Sequence, residues 1–440
     1  MRRLCLTGII VTTFLVKTII SNSAYVGNFN NGTVSIFNTT TDTVTGVVSD
    51  PYGSINSADF IAIAPNGLAA YVVNRFNNTI SIIDTIANTV IGVMSSVHFN
   101  GIYAIYITPD GKKMYATNVG NNTISIINLA TNTVTGLIND IIHPFQGPYY
   151  MALNCDGTTA YVGNYTDKSV AIVNVTTDTV TGLVSDLGNT FNGPFALNIT
   201  PSGAELYVGN YDNGTISIVN VFTNQVVGLV QDPLSSFGFI SYIVSFGSAA
   251  YVDNFFGSNT ISVINIPTNI VVDIISNPSF DAIYYLAVSA TPKGTKIYVP
   301  SYFSSTVAII DAATNSVKGF VLDPINTFNG TYSIAIMPSP QPPTSLVGVQ
   351  VANIFLTQTD IINKISWDAP NSGPAPVSYK IYRDVTLSDL AGTVSASGIL
   401  QFEDHNRQSN KSYTYYIVTI DQFSSSSFPG IVTVAPIVRS

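Results

Sequence analysis

Few residues in this chain are equipped for chemistry. Its 440 residues hold three histidines, His98, His143 and His405, and two cysteines. No Cys-x-x-Cys-His, His-Glu-x-x-His or Gly-x-Ser-x-Gly string occurs, so the chain writes no haem attachment, zinc-protease helix or nucleophile elbow. Cys155 fits a turn position better than a reactive one. Asp50, Asp140, Asp186, Asp232 and Asp323 recur in register, but strings such as "SDP", "QDP" and "LDP" initiate turns and need no calcium ring to explain them. The expectation is no catalytic residue, no metal and no cofactor.

What recurs instead is aromatic. Phe99, Phe145, Phe191, Phe237, Phe280 and Phe328 open short stretches that bear Gly or Asn in all but the "FDA" of Phe280, and a second set comprises Phe29, Phe76, Tyr165, Tyr211, Phe255 and Tyr302. Rings set among amides with little charge suit a protein or glycan surface. Phe29, Tyr165, Tyr211, Phe255 and Tyr302 are accordingly the candidate partner-binding residues. The competing reading makes these rings wedges between packed elements. Asn31, Asn77, Asn121, Asn164 and Asn213 head Asn-x-Thr triplets and are candidate glycosylation sites in exposed loops.

The elements that must position these residues are strands. Charged residues make up only 9% and hydrophobic ones 46%, the latter spread as Val, Ile, Tyr and Phe between Asn, Thr, Ser and Gly. A net charge of −9 argues against nucleic acid, whose phosphates need clustered Lys and Arg. Residues 1–24 read as a secretory signal: Arg2 and Arg3, then an apolar run, then small residues. Its removal takes Arg2, Arg3 and Lys17 and no acid, moving the charge from −9 to −12. It also takes Cys5, leaving Cys155 no disulfide partner. No later stretch is apolar enough to span a bilayer as a helix, so an exported protein is expected.

A Tyr-Val-x-Asn tetrad recurs at Tyr25, Tyr71, Tyr115, Tyr161, Tyr207, Tyr251 and Tyr298, spaced 46, 44, 46, 46, 44 and 47 residues apart. Such periods mean propellers or solenoids. Each period holds four short apolar runs, as in "FALNITPSG", "AELYVGN", "GTISIVN" and "NQVVGLV". In "TISII", Ile80 and Ile82 share one face, Ser81 and Ile83 the other, which fits a strand packed on both faces. A glycine stands four residues before six of the tyrosines, and Asn38, Asp84, Asn128, Asn174, Asn220, Asn265 or Asp311 opens the last hairpin. The first unit lacks its first strand, and "YSIAIMP" at 332–338 supplies one. The expected fold is all-β: a seven-bladed β-propeller of four-stranded blades over 25–338, the two ends of the chain closing the first blade.

With "YVGN", "NNTISIID" and "ATNTVTG" in repeated use, residues 25–338 resemble the YVTN family of seven-bladed propellers, found in archaeal surface-layer and exported bacterial proteins. That resemblance implies a surface or periplasmic binding protein. After a Pro-rich linker at 339–345, residues 346–440 carry alternating strands without cysteine and are similar to a fibronectin type III β-sandwich. Trp367 matches that fold's core tryptophan and Tyr413 its corner tyrosine. The expected function is a non-enzymatic secreted or surface protein binding a protein or glycan on a cell surface, with the sandwich as spacer or anchor. Two alternatives stand beside it: a hydrolase or lactonase with a site in the propeller funnel, and a structural component of a surface coat.

Overall fold

The computed structural model describes residues 23–436 apart from 256–258, 292–293, 341, 355–358, 371–372, 422–425 and 428. The expected signal segment lies outside the described residues except for Ser23 and Ala24. These two belong to the first strand, where Ala24 is fully buried, so the folded sheet starts earlier than the expected boundary. Every regular element described is a strand.

Between Ser23 and Ile336 the described strands form seven four-stranded antiparallel sheets. The first joins Ser23–Asn28, Thr33–Asn38 and Thr43–Val47 to Thr331–Ile336 from far along the chain. Tyr25 stands opposite Ala335 there, and Val26 opposite Ile334. The other six sheets run over 60–95, 102–138, 148–183, 194–229, 243–276 and 287–320. Their leading strands touch in cyclic order, and Thr331–Ile336 lies against both Phe60–Ile63 and Ala287–Thr291.

The repeated residues explain how the sheets hold each other. Each tetrad tyrosine is buried, and its hydroxyl reaches the last hairpin turn of the next sheet. Tyr25 donates to Asn88 Oδ1 at 2.7 Å, Tyr161 to Asn224 at 2.6 Å, and Tyr251 to Asn315 at 3.1 Å. The seventh, Tyr298, donates to Asp42 of the first sheet at 2.6 Å. All seven acceptors, including Asn132, Asp178 and Asn269, have φ between 50° and 55°. Asn and Asp tolerate that left-handed conformation better than other side-chain-bearing residues. Where the acceptor is an aspartate, a lysine joins it: Lys113 Nζ lies 2.8 Å from Asp178, and Lys296 Nζ 2.6 Å from Asp42. The residues expected to open these hairpins do so, as where Asn174 Oδ1 accepts Thr176 N and Thr177 N.

A second chain of hydrogen bonds runs through the opposite ends. Asp186 accepts Phe191 N at 2.8 Å and the Thr190 hydroxyl, which meets Ser217 Oγ at 2.8 Å. Ser217 accepts Asn210 Nδ2 at 2.9 Å, and Asn210 Oδ1 accepts Asn192 N. Asp50–Ser54–Ser81–Asn74, Asp232–Ser236–Ser262–Asn254 and Asp323–Thr327–Ser35–Asn28 repeat this chain. The recurrent aspartates thus cap loops, and the tetrad asparagine with the buried serine satisfies polar groups that packing removes from water.

Beyond Met337 the strands divide into a three-stranded sheet (Thr344–Ile354, Thr359–Asp368, Gln401–Asp404) and a four-stranded one ordered Leu390–Ser395, Pro376–Tyr382, Tyr413–Asp421, Gly430–Val434. The first strand already begins at Thr344, two residues inside the expected linker. Trp367 is buried in this core, 5.3 Å from the Tyr379 ring, and the Tyr413 hydroxyl accepts Gln408 N at 3.0 Å. A buried polar knot, unforeseen from the sequence, joins Asp404 to the Arg383 guanidinium through two oxygens and to the Tyr415 hydroxyl, which Asn363 also contacts. Bidentate pairing of this kind is the stronger form of an ion pair.

Candidate functional site

The leading strands place aromatic rings at the common centre of the seven sheets. Phe60, Tyr103, Tyr149, Phe195, Tyr242, Tyr284 and Tyr332 lie on or beside them, with Tyr106, Tyr150 and Tyr285 adding a second layer. Tyr150 and Tyr285 belong to the fourth and seventh sheets, and their hydroxyls meet at 2.9 Å. Phe60 packs 5.5 Å from Tyr285, and Tyr332 5.5 Å from it on another side. Burial drives the hydroxyls of Tyr106, Tyr150, Tyr285 and Tyr332 well above the usual tyrosine range, so they stay protonated.

Around that centre, two loop types share one face, because their backbones bond to each other. Tyr165 N donates to Gly147 O, Tyr211 N to Gly193 O, Tyr302 N to Ala282 O, and Phe29 N to Gly330 O. Glycine is required at Gly193: its φ is +65°, and a Cβ there would lie 2.9 Å from both Tyr165 and Asp212. The candidate residues Phe29, Tyr165, Tyr211 and Tyr302 are half-buried, with rings turned onto the central cluster. Phe29 lies 5.4 Å from Tyr332, and Tyr165 5.6 Å from Tyr149. Phe255 is the exception among the candidates. It is buried, 4.3 Å from the Tyr284 ring, and presents no surface to a partner. Phe99, Phe145, Phe191 and Phe280 are likewise buried wedges.

Tyr52 and, less so, Phe239 face solvent from inter-sheet loops, while in the loops after the tetrads the exposed rings are Phe76 (68% exposed) and Phe303 (69%). Together with two candidates they make a continuous strip across three sheets. Phe303 lies 5.0 Å from Tyr302, Tyr302 5.9 Å from Phe29, and Phe29 5.6 Å from Phe76. Beside Phe76, the Arg75 guanidinium sits 5.0 Å over the Tyr103 ring, while Arg75 N donates to buried Asp59. Across the face, the Tyr165 hydroxyl donates to Asp212 at 2.7 Å, and that bond raises its titration to about 12. The Tyr302 hydroxyl donates to Asn30 at 2.7 Å. The face thus offers exposed rings, hydroxyls already oriented by partners, and amides. The signal for Phe76 and Phe303 was their aromatic type at a loop tip where no neighbouring strand asks for a ring.

The described histidines do not meet at the centre. His98 is exposed, His143 pairs loosely with Asp140 in an inter-sheet loop, and His405 lies 2.5 Å from Asp360 in the C-terminal sheets. Among the described residues no group of three His, Cys, Asp or Glu stands close enough to hold a metal ion. Asp59 and Asp253 are buried carboxylates near the face. Burial raises both, Asp253 to about 8 against the pull of bonds from Ser241 and Tyr242. Asp59 accepts Arg75 N, and Asp253 accepts Ser241 N and Tyr242 N, so each is bonded to backbone about its own sheet. Of the glycosylation candidates, Asn31, Asn77, Asn121 and Asn213 are exposed. Asn164 is not: it is the buried tetrad asparagine of its sheet, and its amide donates to Ser169 at 3.1 Å.

No family model matches the sequence, and no curated protein does. Solved structures match at low identity. A functionally unknown protein from Desulfotomaculum acetoxidans has a TM-score of 0.57 at 17% identity, covering 72% of this chain and 99% of its own. Hydrazine synthase from Kuenenia stuttgartiensis gives 0.53 at 15%, covering 64% and 90%. The β-propeller domain of Cps50 (Swd1) from Myceliophteria thermophila gives 0.52 at 12%, covering 66% and 93%. These likenesses carry the architecture, which is all-β and propeller-like.

Proposed function

We propose that the chain is an exported, non-enzymatic surface protein whose aromatic loop face binds a protein or glycan partner on a cell. The observation that carries this is the strip Phe303–Tyr302–Phe29–Phe76, exposed at both ends beside a centre already filled with rings. Exposed aromatic side chains are costly to leave in water and become anchors when a partner covers them. In this reading the seven sheets are blades of a YVTN-type propeller, sealed between seventh and first by the Tyr298–Asp42 contact. The C-terminal sheets are a fibronectin type III-like spacer or anchor. Their three-plus-four division, buried Trp367 and the Tyr413 hydroxyl bonded to backbone upstream support that.

The test is Phe76→Ser with Phe303→Ser in the full chain, applied to glycan arrays and to extracted cell-surface proteins. These two rings sit at loop tips, so melting should be unchanged while binding weakens by about 2 kcal/mol or more, the range for aromatic anchors. A folded double variant that binds like the parent sends the function to another surface. Hydrolysis of lactone or ester substrates by the purified chain would replace the reading with the enzyme alternative, and assembly into sheets would favour the coat.

A further inference from the structure

The loops linking one sheet to the next carry a second set of apolar side chains, outside the aromatic strip. Tyr52, Val97, Ile142, Leu187, Leu234 and Ile325 are all exposed, Val97 and Leu187 at 95%. They occupy matching places, one or two residues past Asp50, Ser95, Asp140, Asp186, Asp232 and Asp323. The Tyr52 hydroxyl donates to Ile91 O at 3.4 Å, but folding does not ask for the other five. The loop backbones are held by carboxylates, as where Asp140 accepts Ile142 N at 2.7 Å and Asp232 accepts Phe237 N at 2.9 Å. A polar side chain at each tip would leave those bonds intact. Single exposed leucines are ordinary; one in each of six equivalent loops on one face is a pattern. No lysine or arginine occurs in any of the seven inter-sheet loops.

We propose that this crown of tips beds the loop face on a lipid surface with neutral, zwitterionic headgroups. A protein partner concentrates its contacts in a packed central cluster. Isolated tips distributed around a rim, separated by Asn, Ser, Thr and Gly, instead suit a broad layer that takes each side chain independently. The interfacial zone of a bilayer is such a layer. Attraction to anionic lipid rests on clustered Lys and Arg, which these loops lack, so the headgroup chemistry that fits is uncharged overall. The crown goes beyond the aromatic-face reading and sets any partner of that face at a membrane.

The experiment is co-sedimentation of the full chain with phosphatidylcholine vesicles, alone and with added phosphatidylserine. The parent should pellet with phosphatidylcholine, insensitive to salt. The triple change Val97→Asn, Ile142→Asn and Leu187→Asn should cut partitioning about tenfold or more without altering the melt. Ile86→Asn with Phe222→Asn, in hairpin turns of the opposite face, should pellet like the parent. A parent that stays in solution, binding that depends on phosphatidylserine, or a triple variant that pellets unchanged overturns the proposal. So does light scattering that shows the tips consumed in a dimer of this chain. Phe76→Ser with Phe303→Ser should still bind vesicles, so the two readings fail separately.

Discussion

Asp253 fills the third tetrad position, where three other sheets place glycine. The exchange puts a carboxylate out of water, and burial raises its titration to about 8 from the ordinary 3.8. A carboxyl that holds its proton more tightly when folded favours the fold below pH 3.8, and that advantage disappears as pH rises towards 8. Asp59 shifts in the same direction for the same reason. Melting temperature should therefore fall between pH 4 and 8, and Asp253→Asn should flatten the decline, giving a variant more stable than the parent at pH 8 and similar at pH 4. A parent melt that rises with pH over this range would contradict the burial argument. Asn224 tests another single contact. It combines a φ of 54° with acceptance of the Tyr161 hydroxyl, so Asn224→Ala should cost about 1–3 kcal/mol in chemical unfolding.

At the scale of elements, the four strands of each period, the late strand that pairs with Ser23–Asn28 and the hairpin-opening residues were legible in the sequence because period and turn chemistry are local signals. The tyrosine contacts were not. Nothing in the sequence says that Tyr25 reaches a turn more than sixty residues away, since that depends on how sheets stack. The same holds for Ser81, which strand alternation places on a buried face while hiding its bonds to Ser54 and Asn74. For the candidate site, aromatic type identified the right loops but not which rings stay outside. Phe255 and Phe76 occupy equivalent loops, yet Tyr284 covers one and solvent the other. The outer strands show how the sheets guard their free edges. In all seven the pairing slips by one residue, beside a glycine in six sheets and Asp273 in the other. Such bulges twist an edge away from pairing with another chain. Ending the chain at residue 330 removes Thr331–Ile336 and exposes a new edge on Ser23–Asn28. The shortened protein should lose its cooperative transition and aggregate on heating, as followed by circular dichroism and scattering.

Across the whole molecule, the hydrophobic clusters sort into sets within residues 24–337 and a separate one containing Trp367, Tyr379 and Tyr415. Two cores with no shared cluster should unfold as two transitions. Trp367→Ala should lower only the C-terminal one, by about 3–5 kcal/mol, the range for deleting a buried aromatic. Differential scanning calorimetry that shows both transitions moving together would mean the cores are coupled.

The pairing of Thr331–Ile336 with Ser23–Asn28 also sets a schedule for synthesis. Asn28 accepts Asn329 N across 301 residues, so the sheet that holds Ser23–Asn28 is the last of the first seven that can be finished. At the usual 5–20 residues per second, that strand waits about 15–60 s for its neighbour. Until then its edge stands open on the emerging chain, offering a place where a chaperone could hold the protein or a second nascent copy could pair wrongly. Crowded translation should therefore depress the yield of this protein more than that of a variant permuted so that the two strands are made one after the other.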